Sequence, residues 1–330
     1  MAKISLTGIK PTGTPHLGNY LGSIEPALAL TKDYLSIYFI ADWHALTTVK
    51  DGKELRPLIH KLAATWMACG LDPEKTVFFQ QSQIPELAEL NWYLACFSAK
   101  GLLNRAHAYK AITEENKAAG REPDEGINMG IFTYPVLMSA DILLFGSDVV
   151  PVGQDQKQHV EIARDLAVSV NHALGNVFTV PEPLISEDVK TIPGLDGRKM
   201  SKSYDNVIPF LAPPNEMKKA VMRIVTDSKR PEEPKDPNTE NVFNIFRHFA
   251  EPARVEERRK QYLAGGVGYG EMKEELIATL ETRFGAARAK YDELLKDTAG
   301  LDKILAQGAD RARQLAGSRM EKLRKKLGLR

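Results

Sequence analysis

The sequence of 330 residues has few cysteines, almost no net charge and no long apolar run. Its two cysteines, Cys69 and Cys96, both lie in helical apolar patterns, where a packed and reduced thiol is the usual state. So few cysteines exclude a disulfide framework and a cysteine metal cluster. No apolar stretch approaches the roughly 18 residues of a membrane span, and the N-terminal residues suggest a strand rather than a secretion signal. We therefore expect a cytoplasmic protein.

The composition is that of an ordinary globular protein. Apolar residues make up 43% and charged residues 26% of the chain, which excludes disordered and fibrous classes, and the length favours one large and one smaller domain. The formal net charge of +1 excludes a general polyanion binder. However, the last thirty residues hold nine Lys or Arg against three Asp or Glu. Any contact with nucleic acid must therefore be local.

Short apolar runs alternate with longer helical patterns through the first half of the chain. The runs predict buried strands at 4–9, 36–41, 76–79 and 148–152. Between the second and third run, residues 54–68 place their large apolar side chains on one helical face. This βαβαβ order predicts a parallel sheet with right-handed crossovers, which binds ligands at the carboxyl ends of its strands.

The second half of the chain has a different character. Helical patterns dominate there, interrupted by a proline-rich and charged stretch at 229–237. We expect an α/β protein whose doubly wound, Rossmann-like domain spans 1–207 and whose smaller, all-helical domain spans 208–330. The sequence leaves open whether the final helices, at 270–296 and 301–327, pack back on the first domain.

The turn after the first predicted strand carries a candidate phosphate site. Gly18 opens a helix there, and a helix N-terminus offers N–H donors and positive potential to a phosphate. His16 can add a donor that tightens as a phosphorus centre becomes five-coordinate. An ordinary glycine-rich βα turn is the alternative for this segment taken alone.

A second candidate phosphate site is the segment Lys199-Met-Ser-Lys-Ser203. It places two lysines and two hydroxyls on a glycine-bounded loop, which can close on a polyphosphate. A solvated surface loop is the alternative for this pattern by itself.

Together the two segments resemble the HIGH and KMSKS signatures of class I aminoacyl-tRNA synthetases. The first reads Pro15-His-Leu-Gly-Asn19 and lies at a first βα turn, and the second follows the last predicted strand. Asn19 replaces the final histidine of HIGH, a variant familiar in the tryptophan and tyrosine enzymes of the class. The resemblance implies that both segments contribute to one ATP site.

Longer segments are similar to the tryptophanyl-tRNA synthetases of bacterial type. These are 132–145 and 150–167, and the shorter segments 225–228 and 268–273 extend the similarity into the helical half. The resemblance therefore covers nearly the whole chain. It implies a homodimer, and it implies tRNA(Trp), L-tryptophan and ATP as partners, with the helical half reading the anticodon.

The helix around Asp141 is the candidate amino-acid site. Pro135 suits a first helical turn, so that Tyr134, Met138 and Asp141 share one face. A carboxylate among apolar residues needs a donor, and a structural donor such as a backbone N–H is one alternative. The resemblance implies that Asp141 instead accepts the indole N–H of tryptophan. It assigns Tyr134, Gln156 and His44 to the amino and carboxylate ends of the substrate.

The ATP-binding positions of the family match Lys10, Pro11, Thr12, Gly18, Asn19, Gly153, Gln154, Asp155, Lys199, Met200, Ser201, Lys202 and Ser203. Asp155 follows a strand, where a carboxylate suits a ribose hydroxyl. Lys10 and Gln154 replace a common Gln and a common Glu. Lys110 also matches a nucleotide-contacting position, although a solvated lysine fits the pattern nearly as well.

The resemblance implies a two-step reaction. The tryptophan carboxylate attacks the α-phosphorus of ATP to give tryptophanyl-adenylate and pyrophosphate, and the acyl group then passes to the tRNA. His16, Lys199 and Lys202 are the candidate catalytic residues, with magnesium on the ATP phosphates and no protein-bound metal cluster. A tyrosine-specific relative and a non-aminoacylating RNA-binding paralogue are the alternatives.

Overall fold

The computed structural model describes residues 2–185 and 192–329. At its centre is a five-stranded parallel sheet in the order β3-β2-β1-β4-β5. The strands are β1 Ile4–Ile9, β2 Leu35–Ile40, β3 Val77–Gln80, β4 Val149–Pro151 and β5 Glu182–Leu184. The strand order reverses between β1 and β4, and a ligand crevice is expected outside the carboxyl ends at such a point. The predicted α/β class, and the four predicted strands to within one residue at each end, are confirmed.

The fifth strand was not predicted from the sequence. β5 has three residues and contains Pro183, so it has no apolar run to signal it. A proline is tolerated in this position because β5 is an edge strand, where one side of the backbone needs no partner.

Fourteen α-helical segments occur within the described residues. They are α1 Leu17–Asn19, α2 Glu25–Ala29, α3 Asp42–Ala45, α4 Gly52–Ala68, α5 Pro85–Phe97, α6 Lys100–Asn104, α7 His107–Ala118, α8 Met129–Phe145, α9 Lys157–Leu174, α10 Pro214–Met222, α11 Asn241–Phe246, α12 Pro252–Ala264, α13 Tyr269–Lys296 and α14 Thr298–Lys326. The helix expected to open at Gly18 is not continuous, because a π-helical stretch, Tyr20–Ile24, separates α1 from α2. Such stretches are frequent at functional sites.

The helix that carries Asp141 begins earlier than predicted. α8 starts at Met129, where the Asn128 side chain accepts a hydrogen bond from the Ile131 N–H at 3.0 Å. Pro135 therefore lies inside the helix, and its predicted place in a first turn is wrong. The sequence signal for the true start is the asparagine cap, which satisfies a free backbone N–H of the first turn.

Apolar side chains fill both faces of the sheet. The cluster on one face joins α4 to α10, α11 and α13 of the helical half, and the cluster on the other joins α5, α8 and α9 to the C-terminal part of α14. α14 also packs directly on β3, so it covers an edge of the sheet. A Cβ atom on Gly308 of α14 would lie 1.6 Å from the Phe78 carbonyl oxygen, so only glycine permits this approach. Thus the final helix does pack back on the sheet.

The two cysteines occupy different environments. Cys69 is half-buried beside the core, and burial raises the pKa of its thiol to about 12. Cys96 is exposed on the outer face of α5, so its predicted packing is wrong. The apolar residues around Cys96 in the sequence belong to the opposite face of the same helix. Among the described residues, no helix is both long enough and apolar enough to cross a membrane.

Candidate active site

A cavity of about 500 Å³ lies at the carboxyl ends of β1 and β4, where the strand order reverses. Its walls come from the β1–α1 turn, the segment after β4, α3, α8 and the loop around Lys202. Of the residues predicted from the sequence, it is lined by Lys10, Pro11, Thr12, Asn19, Gly153, Lys202, His44, Tyr134, Met138, Asp141 and Gln156. The fold thus brings both predicted sets, nucleotide and amino acid, to one cavity.

His16 stands at the start of α1, next to this cavity. Its backbone N–H donates to Asn19 Oδ1 at 3.2 Å, and its ring is buried. Burial, reinforced by the nearby Lys202 ammonium, lowers the pKa of His16 to about 4. The imidazole is therefore neutral at pH 7, and its Nδ1 has no partner among the described residues. A neutral ring of this kind supplies one N–H donor and one acceptor.

Gly18 packs closely against the ring of His16. A Cβ atom at Gly18 would lie 3.0 Å from His16 Nδ1 and 3.5 Å from Ile192. Gly18 itself does not line the cavity. Its contact with ATP stays a prediction.

The loop from 199 to 203 meets the β1–α1 turn through one lysine. Lys202 Nζ donates to the backbone carbonyl oxygen of Thr12, and partial burial lowers the pKa of this lysine. Asn206 holds the backbone of this loop, because its Oδ1 accepts a hydrogen bond from the Ser201 N–H at 2.8 Å. Asn206 Nδ2 also donates to the Lys199 carbonyl oxygen at 3.2 Å. Thus the Lys202 side chain faces the first phosphate segment.

The other residues of the 199–203 loop do not reach the cavity. The Lys199 side chain is exposed, and Met200 is buried in the core beside Ile192. Ser201 Oγ and Ser203 Oγ lie 2.8 Å apart and bond to each other. None of these four residues lines the cavity, so their contacts with ATP stay predictions.

Three further residues predicted to contact the nucleotide are Gln154, Asp155 and Lys110, and no described side chain among them lines the cavity. Gln154 is exposed in the short 3₁₀ turn after β4 and does not line the cavity. The side chain of Asp155 lies outside the described part of the chain. Lys110 is exposed on α7, where its Nζ lies 3.5 Å from Glu114 Oε1. Lys110 therefore has the environment of a solvated helix lysine.

Asp141 is buried at the other end of the cavity, where it is 1% exposed. Its Oδ2 lies 2.9 Å from His44 Nε2, and Gln81 Nε2 donates to Oδ1 at 2.8 Å and to Oδ2 at 3.0 Å. Burial raises the pKa of Asp141, whereas the hydrogen bonds from His44 and Gln81 oppose that rise. The expectation that this acid needs donors is confirmed, and the donors are side chains rather than backbone.

Tyr134 and Gln156 are connected by a histidine on α9. The Tyr134 hydroxyl lies 2.5 Å from His159 Nε2, and His159 Nδ1 lies 3.1 Å from Gln156 Oε1. His159 is buried, and burial raises the pKa of Tyr134 to about 12. In a neutral ring, donation from Nδ1–H to Gln156 leaves Nε2 as the acceptor of the tyrosine O–H. The tyrosine oxygen then keeps its lone pairs for a donor in the cavity.

Sequence reasoning missed two of these residues, Gln81 and His159. Gln81 follows β3 directly, and polar side chains at the carboxyl end of a buried parallel strand are a usable signal. Its neighbour Gln80 bonds Asp42 Oδ2 at 2.7 Å, so the strand end carries two buried amides. His159 lies one helical turn beyond Gln156, and this spacing could have marked it.

The two ends of the cavity suit two different chemical groups, a phosphate at one end and an aromatic ring at the other. One end has a neutral histidine, a helix start and a lysine, which together suit phosphate oxygens. The other end has an apolar wall and one buried carboxylate, which suit a flat aromatic group bearing an N–H.

Comparisons with known proteins agree with a site for a nucleotide and an aromatic amino acid. The family described as tRNA synthetases class I (W and Y) matches residues 3–285. The tryptophan–tRNA ligase of Pseudomonas aeruginosa is 49% identical over 98% of this chain and 73% of its own length. That of Neisseria meningitidis is 46% identical over 98% of this chain and 97% of its own. A Campylobacter jejuni tryptophanyl-tRNA synthetase solved with ADP and tryptophan is 43% identical, with a TM-score of 0.90 over 99% of this chain and 100% of its own.

The chain belongs to the class I tRNA synthetases of the tryptophan and tyrosine family. An archaeal tyrosyl-tRNA synthetase, from Archaeoglobus fulgidus, is 20% identical with a TM-score of 0.65, which shows the shared fold alone. The curated relatives at 45–49% identity carry tryptophan specificity, and the activity of this chain is that of a tryptophan–tRNA ligase. It is an ATP-using enzyme that joins tryptophan to its tRNA.

Proposed function

We propose that tryptophan lies in the cavity with its indole N–H on Asp141 and its polar groups toward Tyr134 and Gln156. The observation that carries the proposal is the buried carboxylate of Asp141, which opens onto the cavity from an apolar wall that includes Met138. A buried acceptor of this kind penalises a ligand that lacks the matching N–H. Tyrosine can offer only its phenol O–H, which its smaller ring places differently from the indole N–H.

We propose that ATP lies across the carboxyl ends of β1 and β4, with its phosphates between His16 and Lys202. The lysine contact with the Thr12 carbonyl supports this, because it sets a cation beside the helix start. Among the described residues, no three His, Cys, Asp or Glu side chains converge as a metal site. We therefore expect magnesium to bind through the phosphate oxygens and water, as this ion commonly does.

The proposed chemistry needs no protein nucleophile. The tryptophan carboxylate forms a bond to the α-phosphorus, and the bond from that phosphorus to pyrophosphate breaks. A terminal ribose hydroxyl of the tRNA then attacks the acyl carbon, and AMP leaves. His16 donates to an α-phosphate oxygen, while Lys199 and Lys202 stabilise the charge that develops on pyrophosphate.

We propose that 1–207 form the catalytic domain and that 208–330 carry the anticodon-binding surface, apart from the part of α14 that packs on the sheet. Exposed basic residues of the helical half, among them Lys219, Arg223 and Lys260, support a contact with tRNA phosphates. We place the protein in the cytoplasm, where translation needs it. Filter binding of tRNA(Trp) at increasing salt measures the phosphate contribution, and a flat salt response contradicts it.

We also propose a homodimer. Trp92 on α5 and Met129 at the start of α8 are exposed, at 68% and 69%, on two helices that pack against each other. Large apolar side chains of this kind are enriched at the centres of subunit interfaces. Light scattering should give twice the chain mass of 36.7 kDa for the wild type. It should give the single mass for Trp92→Glu, with Val168→Glu on α9 as the exposed control.

ATP–pyrophosphate exchange with tryptophan and with tyrosine tests the site. The wild type should exchange with tryptophan alone, and Asp141→Asn should lose tryptophan exchange by at least about a hundredfold. Equal exchange with both amino acids in the wild type, or full exchange in Asp141→Asn, contradicts the proposed role of Asp141. Charging of tRNA(Trp), assayed in parallel, excludes a paralogue that does not aminoacylate.

A further inference from the structure

Gln81 is completely buried and does not line the cavity, yet it bonds both oxygens of Asp141. It stands in the short turn after β3, whereas Asp141 stands on α8. A residue in this position cannot touch a ligand in the cavity. Any effect it has on the ligand must therefore pass through Asp141.

A backbone contact on the side away from Asp141 fixes the orientation of the Gln81 amide group. Gln81 Oε1 accepts the backbone N–H of Trp43 at 3.1 Å, and Trp43 belongs to α3. A backbone N–H can only donate, so the side-chain oxygen must face α3 and the NH₂ group must face Asp141. The amide therefore cannot flip without leaving two buried groups unpaired.

The Asp141 carboxylate needs this support because its own torsion does not define its plane. The last torsion of an aspartate is broad, so neighbouring donors decide where each oxygen points. Oδ2 takes hydrogen bonds from both His44 and Gln81, whereas Oδ1 takes one, from Gln81. A carboxylate oxygen can accept two bonds, so Oδ1 retains an acceptor position for a further donor.

We infer that Gln81 is a positioning residue for tryptophan selection: it turns the Asp141 carboxylate so that Oδ1 faces the indole N–H. Without Gln81, His44 alone holds the carboxylate by one oxygen, and the plane of the group can rotate about that contact. The inference rests on the proposed role of Asp141 as the acceptor of the indole N–H.

The test compares tryptophan with β-(benzothiophen-3-yl)alanine, which has sulfur in place of the N–H group. Dissociation constants for both ligands are measured by calorimetry. Wild-type protein should prefer tryptophan, and Gln81→Met should reduce that preference about tenfold, the equivalent of about 1.4 kcal/mol. The affinity for the sulfur analogue should change less than about threefold, because that ligand does not use Oδ1.

The matched control is Gln80→Met, one residue earlier. Gln80 is also buried, and its amide bonds Asp42 and Ser82 rather than Asp141. This variant should lose stability, as Gln81→Met does, but keep the wild-type preference for tryptophan. Equal weakening of both ligands by Gln81→Met indicates a structural role only and overturns the inference.

Gln81→Glu is the second variant, in case the methionine protein does not fold. Its side chain has the same shape, and one carboxyl oxygen can still accept from Trp43. It can donate to Asp141 only while it is protonated, so its preference for tryptophan should fall as pH rises from 5 to 8. The wild type is measured over the same range, because burial raises the pKa of Asp141 itself, and a Gln81→Glu response that matches the wild type contradicts the inference.

The outcomes also separate this inference from the role of Asp141. If the wild type itself binds both ligands equally, Asp141 is not the acceptor of the indole N–H. If the wild type prefers tryptophan and Gln81→Met keeps that preference in full, the inference about Gln81 is wrong, whereas the proposed role of Asp141 still holds.

Discussion

Lys202 Nζ donates to the carbonyl oxygen of Thr12, and this contact joins two segments that lie far apart in the chain. The lysine reaches Thr12 from a loop whose backbone is held by the buried side chain of Asn206. A bond from a lysine to a neutral carbonyl is easily exchanged for a bond to a phosphate, because the phosphate carries charge. The contact therefore keeps the cation beside the proposed phosphate position.

Lys202→Ala should slow adenylate formation far more than it weakens tryptophan binding. Removing one preorganised donor from a developing negative charge typically costs on the order of a hundredfold to a thousandfold in kcat. Burst kinetics with ATP and tryptophan measure the rate, and calorimetry measures the affinity. Lys218→Ala, an exposed lysine on α10 paired with Glu274, is the control and should change neither. Equal losses of rate and affinity in Lys202→Ala would contradict a transition-state role.

His16 should make stability depend on pH on the acidic side. Its pKa is about 4 in the folded protein and about 6.5 in the unfolded chain. Its contribution is complete above pH 6.5 and is lost as pH falls toward 4, because the unfolded chain then binds the extra proton. The loss should amount to roughly 2–3 kcal/mol. Urea unfolding from pH 7 to 4.5 should show a shallower slope for His16→Gln and an unchanged slope for His172→Gln, an exposed control.

His159→Phe should raise KM for tryptophan about tenfold and leave KM for ATP within about twofold, since the two proposed substrate contacts, Tyr134 and Gln156, lose their common partner. The double variant with Tyr134→Phe should cost less than the sum of the single variants, because both remove the same hydrogen bond. Steady-state exchange kinetics at varied tryptophan and ATP give these constants. A uniform rise of both KM values, or strict additivity, would count against the positioning of Tyr134 by His159.

Gly308→Ala should destabilise the protein by about 3 kcal/mol or more, because the added Cβ meets a backbone oxygen that cannot move aside. Gly317→Ala lies on the same helix, where the added Cβ meets nothing within 4 Å. This control should stabilise the protein by up to about 1 kcal/mol, since alanine favours helix. Thermal and urea unfolding of both variants measure the difference. Similar stabilities for the two would show that α14 does not approach β3 so closely.

The sequence was most informative where its periodicity was strong or its motifs long. The four apolar strands and the face shared by Tyr134, Met138 and Asp141 follow from spacing alone, and the cavity confirms that face. β5 could not be predicted, because an edge strand of three residues is stabilised by its neighbour and not by its own pattern.

The pairing of the site residues with their hydrogen-bond partners could not be predicted either. Nothing in the sequence near Asp141 indicates that Gln81 and His44 hold its carboxylate, because those contacts depend on how three separate elements meet. Likewise, the lack of space at Gly308 depends on a strand far away in the chain. Local pattern therefore identifies cavity-lining residues, and only tertiary packing identifies the residues behind them.

The seating of α14 on β3 has a consequence for biosynthesis. A strand edge left open offers unpaired backbone groups to any passing chain, and here the segment that covers it is translated long after β3. The five strands are therefore all available before the α14 segment that covers the β3 edge has been made. Its closure is a late contact of long sequence separation, the kind that folds slowly and exposes a nascent chain to aggregation.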